Sequence, residues 1–205
     1  MKQFISKNDQ AHSYIICRFD QCILIDPSDN IDEIKEYLED KKLIAIAITH
    51  GHSDHVNLIH KFKVPIYISE HDAHLLFEDD YNGYDKKNKR PFQRKELDIH
   101  LIKNESSIAL ADKEVKVIET PGHTKGGLSF LYGKHLFTGD TLFKNDVGRH
   151  DLYSGNLSEL KQSVVKLIDE MPENTIICPG HDELSLVKNE RKSNPYYIKW
   201  QKQKR

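Results

Sequence analysis

The run Leu43–Ile48, "LIAIAI", passes without a break into "THGHSDH" at Thr49–His55. An apolar run with no polar alternation cannot be a strand with one wet face. It predicts a strand buried on both faces, the kind found inside a layered α/β fold. Strand ends in such folds converge on one edge, where functional loops gather. Here that edge carries His50, His52 and His55 together with Asp54.

A chain of 205 residues is long enough for one sizeable core, so a single domain spanning 1–205 is expected. Lys and Arg number 30 against 32 Asp and Glu. That balance offers no electrostatic grip on nucleic acid or an anionic membrane. The basic clusters "KKNKR" at Lys86–Arg90 and "KWQKQKR" at Lys199–Arg205 read as a solvated loop and tail. The N-terminal "MKQFISKNDQ" lacks the apolar centre of a signal peptide, and no apolar run approaches bilayer length. Cys17, Cys22 and Cys178 are odd in number and lack metal-ligand spacing. This argues against a disulfide framework and for a reducing, cytoplasmic setting.

"SYIICRF" and "CILIDP" predict a hairpin turning at Asp20-Gln21, and "IDEIKEYLED" a helix with Asn30 as its N-cap. A helix is expected to open inside "SDHVNLIHKF", with a strand at "VPIYIS" and a helix around "EHDAHLLF". Residues 79–94 are polar and turn-rich and read as the least ordered loop. Strands follow at "LDIHLI", "SSIAL", "KEVKVIET", "GLSFLYG" and "KHLFTG". "NLSELKQSVVKLIDEM" is an amphipathic helix, "NTIICPG" another strand and "DELSLVKNERK" another helix. Both halves run from strands to a strand and helix, which suits two sheets packed face to face with helices outside.

Three more candidate ligands end predicted strands: His123 in "TPGHT", Asp140 in "FTGDTLF" and His181 in "CPGHD". Gly122, Gly139 and Gly180 each precede one of them and would let the backbone turn to aim the side chain inward. A single loop histidine is ordinarily solvated. Seven ligands gathered by one pattern are not explained that way. Imidazoles with carboxylates suit zinc, iron or manganese rather than calcium or magnesium, and seven exceed the needs of one tetrahedral ion.

"THGHSDH" with "PGHT", "TGDTLF" and "PGHD" resembles the metallo-β-lactamase-fold superfamily, from roughly Tyr14 to Tyr197. The resemblance implies a four-layer αββα sandwich of two mixed sheets with a dinuclear site on one edge. Carried over, His50, His52 and His123 would hold one divalent metal, Asp54, His55 and His181 the second, and Asp140 would bridge them. Zinc is the first expectation, with iron or manganese as alternatives. True lactamases usually lack the bridging aspartate, flavodiiron proteins carry Glu where His52 stands, and the large RNA-processing members need more chain. "GRHD" at Gly148–Asp151 and "ERKSNP" at Glu190–Pro195 instead resemble the glyoxalase II group, hydroxyacylglutathione hydrolase-like in a short form, and the similar persulfide dioxygenases. Asn57 replaces the usual glycine, a small departure because asparagine tolerates unusual backbone angles. The larger departure is that 24 residues follow His181 (205 − 181). No C-terminal glutathione-binding helical domain is expected, and glutathione does not carry over as the thiol.

The implied chemistry is hydrolysis of a small-molecule thioester by a hydroxide held between the metals and oriented by Asp54. A thiol of pKa ~8.5 departs without a general acid. The main alternative is a mononuclear iron persulfide dioxygenase using His50 or His52 with His123 and Asp140. A lactonase or phosphodiesterase comes next, and a non-catalytic binding module last. Asp26 reads equally as a partner behind a metal-bound histidine and as a turn residue. Arg149 and Asp151 are expected to pair, Cys178 to be a packed thiol, and Lys125, Lys144 and Tyr153 to be surface residues. The histidines at 12, 60, 71, 74, 100, 135 and 150 lack the strand-end context.

Overall fold

The computed structural model describes residues 1–202. Residues 203–205 of the C-terminal basic cluster lie outside the described residues. One sheet contains β1 (Lys2–Ile5), β2 (His12–Arg18), β3 (Gln21–Ile25), β4 (Lys42–Ala47), β5 (Ile66–Ser69) and β6 (Ile99–Ile102) in that spatial order. It is antiparallel through β3 and parallel from β3 to β6. The second contains β7 (Ser107–Leu110), β8 (Lys113–Glu119), β9 (Leu128–Tyr132), β10 (His135–Gly139), β13 (Ile176–Pro179) and β14 (Ser185–Leu186), with only β10 and β13 parallel. Between β10 and β13 in sequence, β11 (Leu142–Phe143) and β12 (Asp146–Val147) form a small ribbon.

The period-two geometry of strands builds the layers. Tyr14, Ile16, Ile23, Ile25, Ala45 and Ala47 meet Val115, Val117, Leu128, Phe130 and Phe137 between the sheets. The intervening Ile15, Leu24, Ile46 and Ile48 face outward against Ile34 of α1 (Ile31–Tyr37) and Val56 of α2 (Ser53–Val56). Behind the second sheet, Leu160, Val164 and Ile168 of α4 (Leu157–Glu170) pack with Val187 of α5 (Val187–Ser193) and Trp200 of α6 (Pro195–Lys202). "LIAIAI" is thus covered on both faces within a four-layer αββα sandwich. Among the described residues no helix is long and apolar enough to cross a membrane.

Several local expectations are corrected. The hairpin turns at Phe19-Asp20, because Gln21 already pairs with Arg18. That register sets Cys17 opposite Cys22, and the two are joined in a disulfide, contrary to the reading from cysteine count; spacing within a hairpin overrides an odd total. Asn30 precedes α1 without capping it, since its Nδ2 donates to Ile5 O instead. Residues 83–93 form the expected loop, but the segment 79–94 is anchored at several points. A short helix α3 (Asp79–Asn82) ends at Gly83, while Asn82, Tyr84 and Phe92 are buried and Arg90 pairs with Asp79. "EHDAHLLF" forms only a 3-10 turn at Leu75–Phe77. "DELSLVKNERK" divides into β14 and α5, because Ser185 adds to the sheet edge beside Ile177.

Candidate metal centre

The ligand loops meet because β8, β10 and β13 run in the same direction and end on one edge, where β4 also delivers Thr49 and His50. Gly122 (φ 135°) and Gly139 (φ 48°) adopt the positive φ that a sharp turn before His123 and Asp140 requires. Gly180 has no positive φ; there the glycine supplies room. A Cβ at Gly180 would strike Asp140 Oδ1 and lie 2.7 Å from His55 Cε1.

All seven sequence-predicted residues come together. His50, His52 and His123 form one group whose ligand atoms lie within 4.8 Å of one another, and Asp54, His55 and His181 form another. Asp140 groups with His50 and His55, one residue from each. Its Oδ1 is 3.4 Å from His55 Nε2, and its Oδ2 is 3.6 Å from His123 Nε2 and 3.7 Å from His181 Nε2. His52 Nδ1 and His123 Nε2 are 3.0 Å apart, and Asp54 Oδ2 is 3.2 Å from His181 Nε2.

This donor set fits divalent metal. His50 Nε2, His55 Nε2 and Asp140 Oδ1 are buried with no hydrogen-bond partner. Buried polar atoms are ordinarily satisfied, and these three converge on one point. Burial holds the His50 imidazole well below its usual pKa and His52 at about 4, so both are neutral donors at pH 7. Burial opposes protonation of His55 too, but the charges of Asp54 and Asp140 outweigh it and raise that pKa. For Asp140, burial is outweighed by His55, His50 and His123, which hold the carboxyl well below the usual range.

The partners behind the ligands fix which nitrogen faces inward. His55 Nδ1 is 3.1 Å from Asp26 Oδ2, and Asp26 also accepts from Thr49 N (2.8 Å) and Thr49 Oγ1 (2.5 Å). Of the two readings of Asp26, the structure favours the partner behind a ligand. His123 Nδ1 donates to Arg149 O at 2.8 Å, which leaves Nε2 facing the centre.

Residues 7–181 match the Metallo-beta-lactamase superfamily. The chain belongs to that superfamily. It is 37% identical to an uncharacterized protein of Aquifex aeolicus over 183 residues, covering 86% of this chain and 85% of the relative. To "Probable metallo-hydrolase YqgX" of Bacillus subtilis it is 30% identical over 196 residues, covering 91% and 92%. To a hydroxyacylglutathione hydrolase of Wigglesworthia glossinidia brevipalpis it is 32% identical, across 87% of this chain but 64% of the relative. The crystal structure of BLEG-1 B3 metallo-beta-lactamase superposes with a TM-score of 0.87 at 30% identity, covering 96% and 98%. TTHA1623, solved in a di-iron-bound form, has a TM-score of 0.82 at 24% identity, covering 96% and 100%, a likeness of fold alone. Membership makes the chain a metallo-hydrolase superfamily protein, and its His and Asp clusters are groups that could hold metal.

Three features of this metallo-β-lactamase-fold chain were missed by sequence reasoning. Asp72 is fully buried and accepts from Gly51 N (3.1 Å), Thr124 Oγ1 (2.7 Å) and Gly126 N (2.7 Å). It therefore ties the loop of His50 and His52 to the loop of His123. Burial raises its pKa against the pull of those hydrogen bonds. The signal was "EHDAH", an acidic residue inside a segment with buried neighbours. Glu190 and Asn194, in the stretch that carries the glyoxalase II resemblance, act on the ribbon after Asp140. Glu190 accepts from Asn145 N, and Asn194 Nδ2 donates to Asp146 O.

The third missed feature is the wall of the cleft. The metal centre opens into a cleft of about 580 Å³ lined by His52, Asp54, Asp80, Tyr81, Phe143, Arg149, Leu152 and Tyr153 among others. Tyr153, expected as a surface residue, is 42% exposed and lines the cleft, where it stacks on Tyr81 with centroids 4.0 Å apart. Lys144 pairs with Glu183, and Arg149 makes two bonds to Asp151 as expected. Cys178 is buried between the sheets with its thiol pushed up to about 12 by burial, a packing residue rather than a nucleophile.

Proposed function

We propose that this chain is a dinuclear metal-dependent hydrolase that cleaves a thioester, such as an S-2-hydroxyacyl thiol, with zinc as the first candidate metal and iron or manganese as alternatives. The observation that carries the reading is Asp140, whose carboxylate faces both ligand groups at 3.4–3.7 Å. The hydroxyacylglutathione hydrolase relative supports the thioester substrate.

Two bound divalent ions would supply Lewis acidity toward the carbonyl and a water nucleophile active at neutral pH. His50, His52 and His123 would hold one ion, Asp54, His55 and His181 the other, with Asp140 shared. Asp54 reaches the cleft, with 26% of its side chain exposed, and orients the attacking water by accepting its proton in a hydrogen bond. Asp26 and the Arg149 carbonyl hold the proton on the outer nitrogen of His55 and His123. The leaving thiolate needs no general acid, because a thiol of pKa ~8.5 departs as its anion.

Elemental analysis of the purified protein, paired with release of thiol from a 2-hydroxyacyl thioester, tests the reading. About two metals per chain and cleavage lost in Asp54→Asn are expected. Close to one iron per chain, with oxygen uptake on a persulfide and no thioester cleavage, would assign the site to the mononuclear dioxygenase reaction instead.

A further inference from the structure

The lining of the cleft has a chemistry that the metal centre does not use. Tyr81 comes from α3 and Tyr153 from the loop that follows "GRHD". Their rings lie 18° from parallel, so two separate segments present one continuous aromatic surface. Leu152 and Phe143 line the same cleft, with the Phe143 ring 6.3 Å from that of His181. These side chains are not core. Tyr81 is 45% exposed, Tyr153 42% and Leu152 38%. An apolar surface held open to solvent inside a catalytic cleft is a surface kept for a ligand.

The charges around it point the same way. Arg149 is the one Lys or Arg among the residues lining the cleft, and its Nε–Nη2 edge is taken by Asp151. Asp80 adds an exposed carboxylate at the rim, and no cationic partner for it is found among the described residues. A thiol bearing several carboxylates or phosphates would meet one cation already paired with a carboxylate, a second carboxylate at Asp80 and apolar rings, where it needs several free cations. A 2-hydroxyacyl group is small and polar, so only the thiol half of a thioester is large enough to cover the wall.

We propose that the Tyr81–Tyr153 stack is the specificity-determining wall of the cleft and that it selects a thiol carrier with an uncharged apolar or aromatic tail over an anionic one. The proposal rests on the thioester reading of the same site and names its substrate class. The two rings act as specificity residues; the metal ligands carry the reaction.

The test compares equilibrium binding of benzyl mercaptan and glutathione to the metal-loaded protein by calorimetry, in the parent and in Tyr81→Ala, Tyr153→Ala and Tyr153→Phe. Both probes carry a thiol, so the difference between them reports on the tail. Benzyl mercaptan is expected to bind at least about tenfold more tightly, since burying one ring is sufficient for that factor. Each alanine variant should lose most of that preference while glutathione affinity stays within about twofold, and Tyr153→Phe should keep it. Exposure of both rings means the alanine variants keep the fold, which a thermal melt verifies. Glutathione binding as tightly as benzyl mercaptan, or equal losses for both thiols in the alanine variants, would overturn the proposal. Failure to cleave any thioester, with the binding preference intact, would overturn the hydrolase reading and leave the aromatic wall standing.

Discussion

Asp26 Oδ2 lies 3.1 Å from His55 Nδ1, and both residues are buried, at 2% and 0% exposure. The carboxylate is itself fixed by the backbone N–H and hydroxyl of Thr49, the residue before His50. One side chain at the end of β3 therefore sets the ring orientation of a ligand on α2 and the exit path of β4.

Replacing Asp26 with alanine should weaken metal retention by roughly 10–100-fold, the usual cost of removing a partner behind a ligating histidine. Competition with a chromogenic chelator measures it. Unchanged affinity would mean that His55 is oriented by its surroundings without Asp26.

Asp72 gives a second outcome. Three donors converge on it, two of them backbone N–H groups that cannot reverse roles. In Asp72→Asn the amide must turn its NH2 toward one of these donors, at a cost of about 1–3 kcal/mol. A lower melting temperature is expected, together with weaker metal binding at the group of His50, His52 and His123. A melt and metal titration indistinguishable from the parent would remove Asp72 from the supporting structure.

Gly180→Ala places a methyl group against Asp140 Oδ1 and His55 Cε1. Crowding of this kind costs about 1–3 kcal/mol where the neighbours can shift, and here the neighbours are ligands. Metal content per chain should fall, while far-ultraviolet circular dichroism stays that of the parent. Full metal content in the variant would show that the centre can yield to the added carbon.

The acid limb of stability offers a test away from the site. Arg18 bonds Asp112 through Nε (2.7 Å) and Nη2 (3.0 Å) and lowers its pKa to about 2. A carboxylate depressed in the folded state stabilises the fold above its unfolded pKa, ~3.9, and that contribution disappears as pH falls through the folded value. Arg18→Gln should therefore melt below the parent at neutral pH, with the gap closing between about pH 4 and pH 2. A gap that stays constant across this range would assign it to lost packing of Arg18 over Phe19.

Much of the site was legible in the sequence. His50, His52, Asp54 and His55 share one short segment after an unmistakable buried strand, and His123, Asp140 and His181 each follow a glycine at a strand end. Those signals are local, because a strand's period and a glycine before a ligand are properties of neighbouring residues. Within residues 79–94 the loop was legible, but its short helix and buried anchors were not, for the same reason. The polar composition of the segment is visible locally, whereas the burial of Asn82, Tyr84 and Phe92 against distant elements is not.

By itself the sequence pointed to the layered fold class and to seven candidate ligands on a common edge, since hydrophobic periodicity and ligand chemistry are written residue by residue. Only the tertiary structure decided that Asp140 faces both ligand groups, that Asp26 stands behind His55, and that Asp72 ties the Gly51 loop to Thr124, itself 52 residues further along the chain than Asp72. It also brought Tyr81 onto Tyr153 and Cys17 onto Cys22. These are relations of register and approach between segments, and they exist only once the sheets have packed.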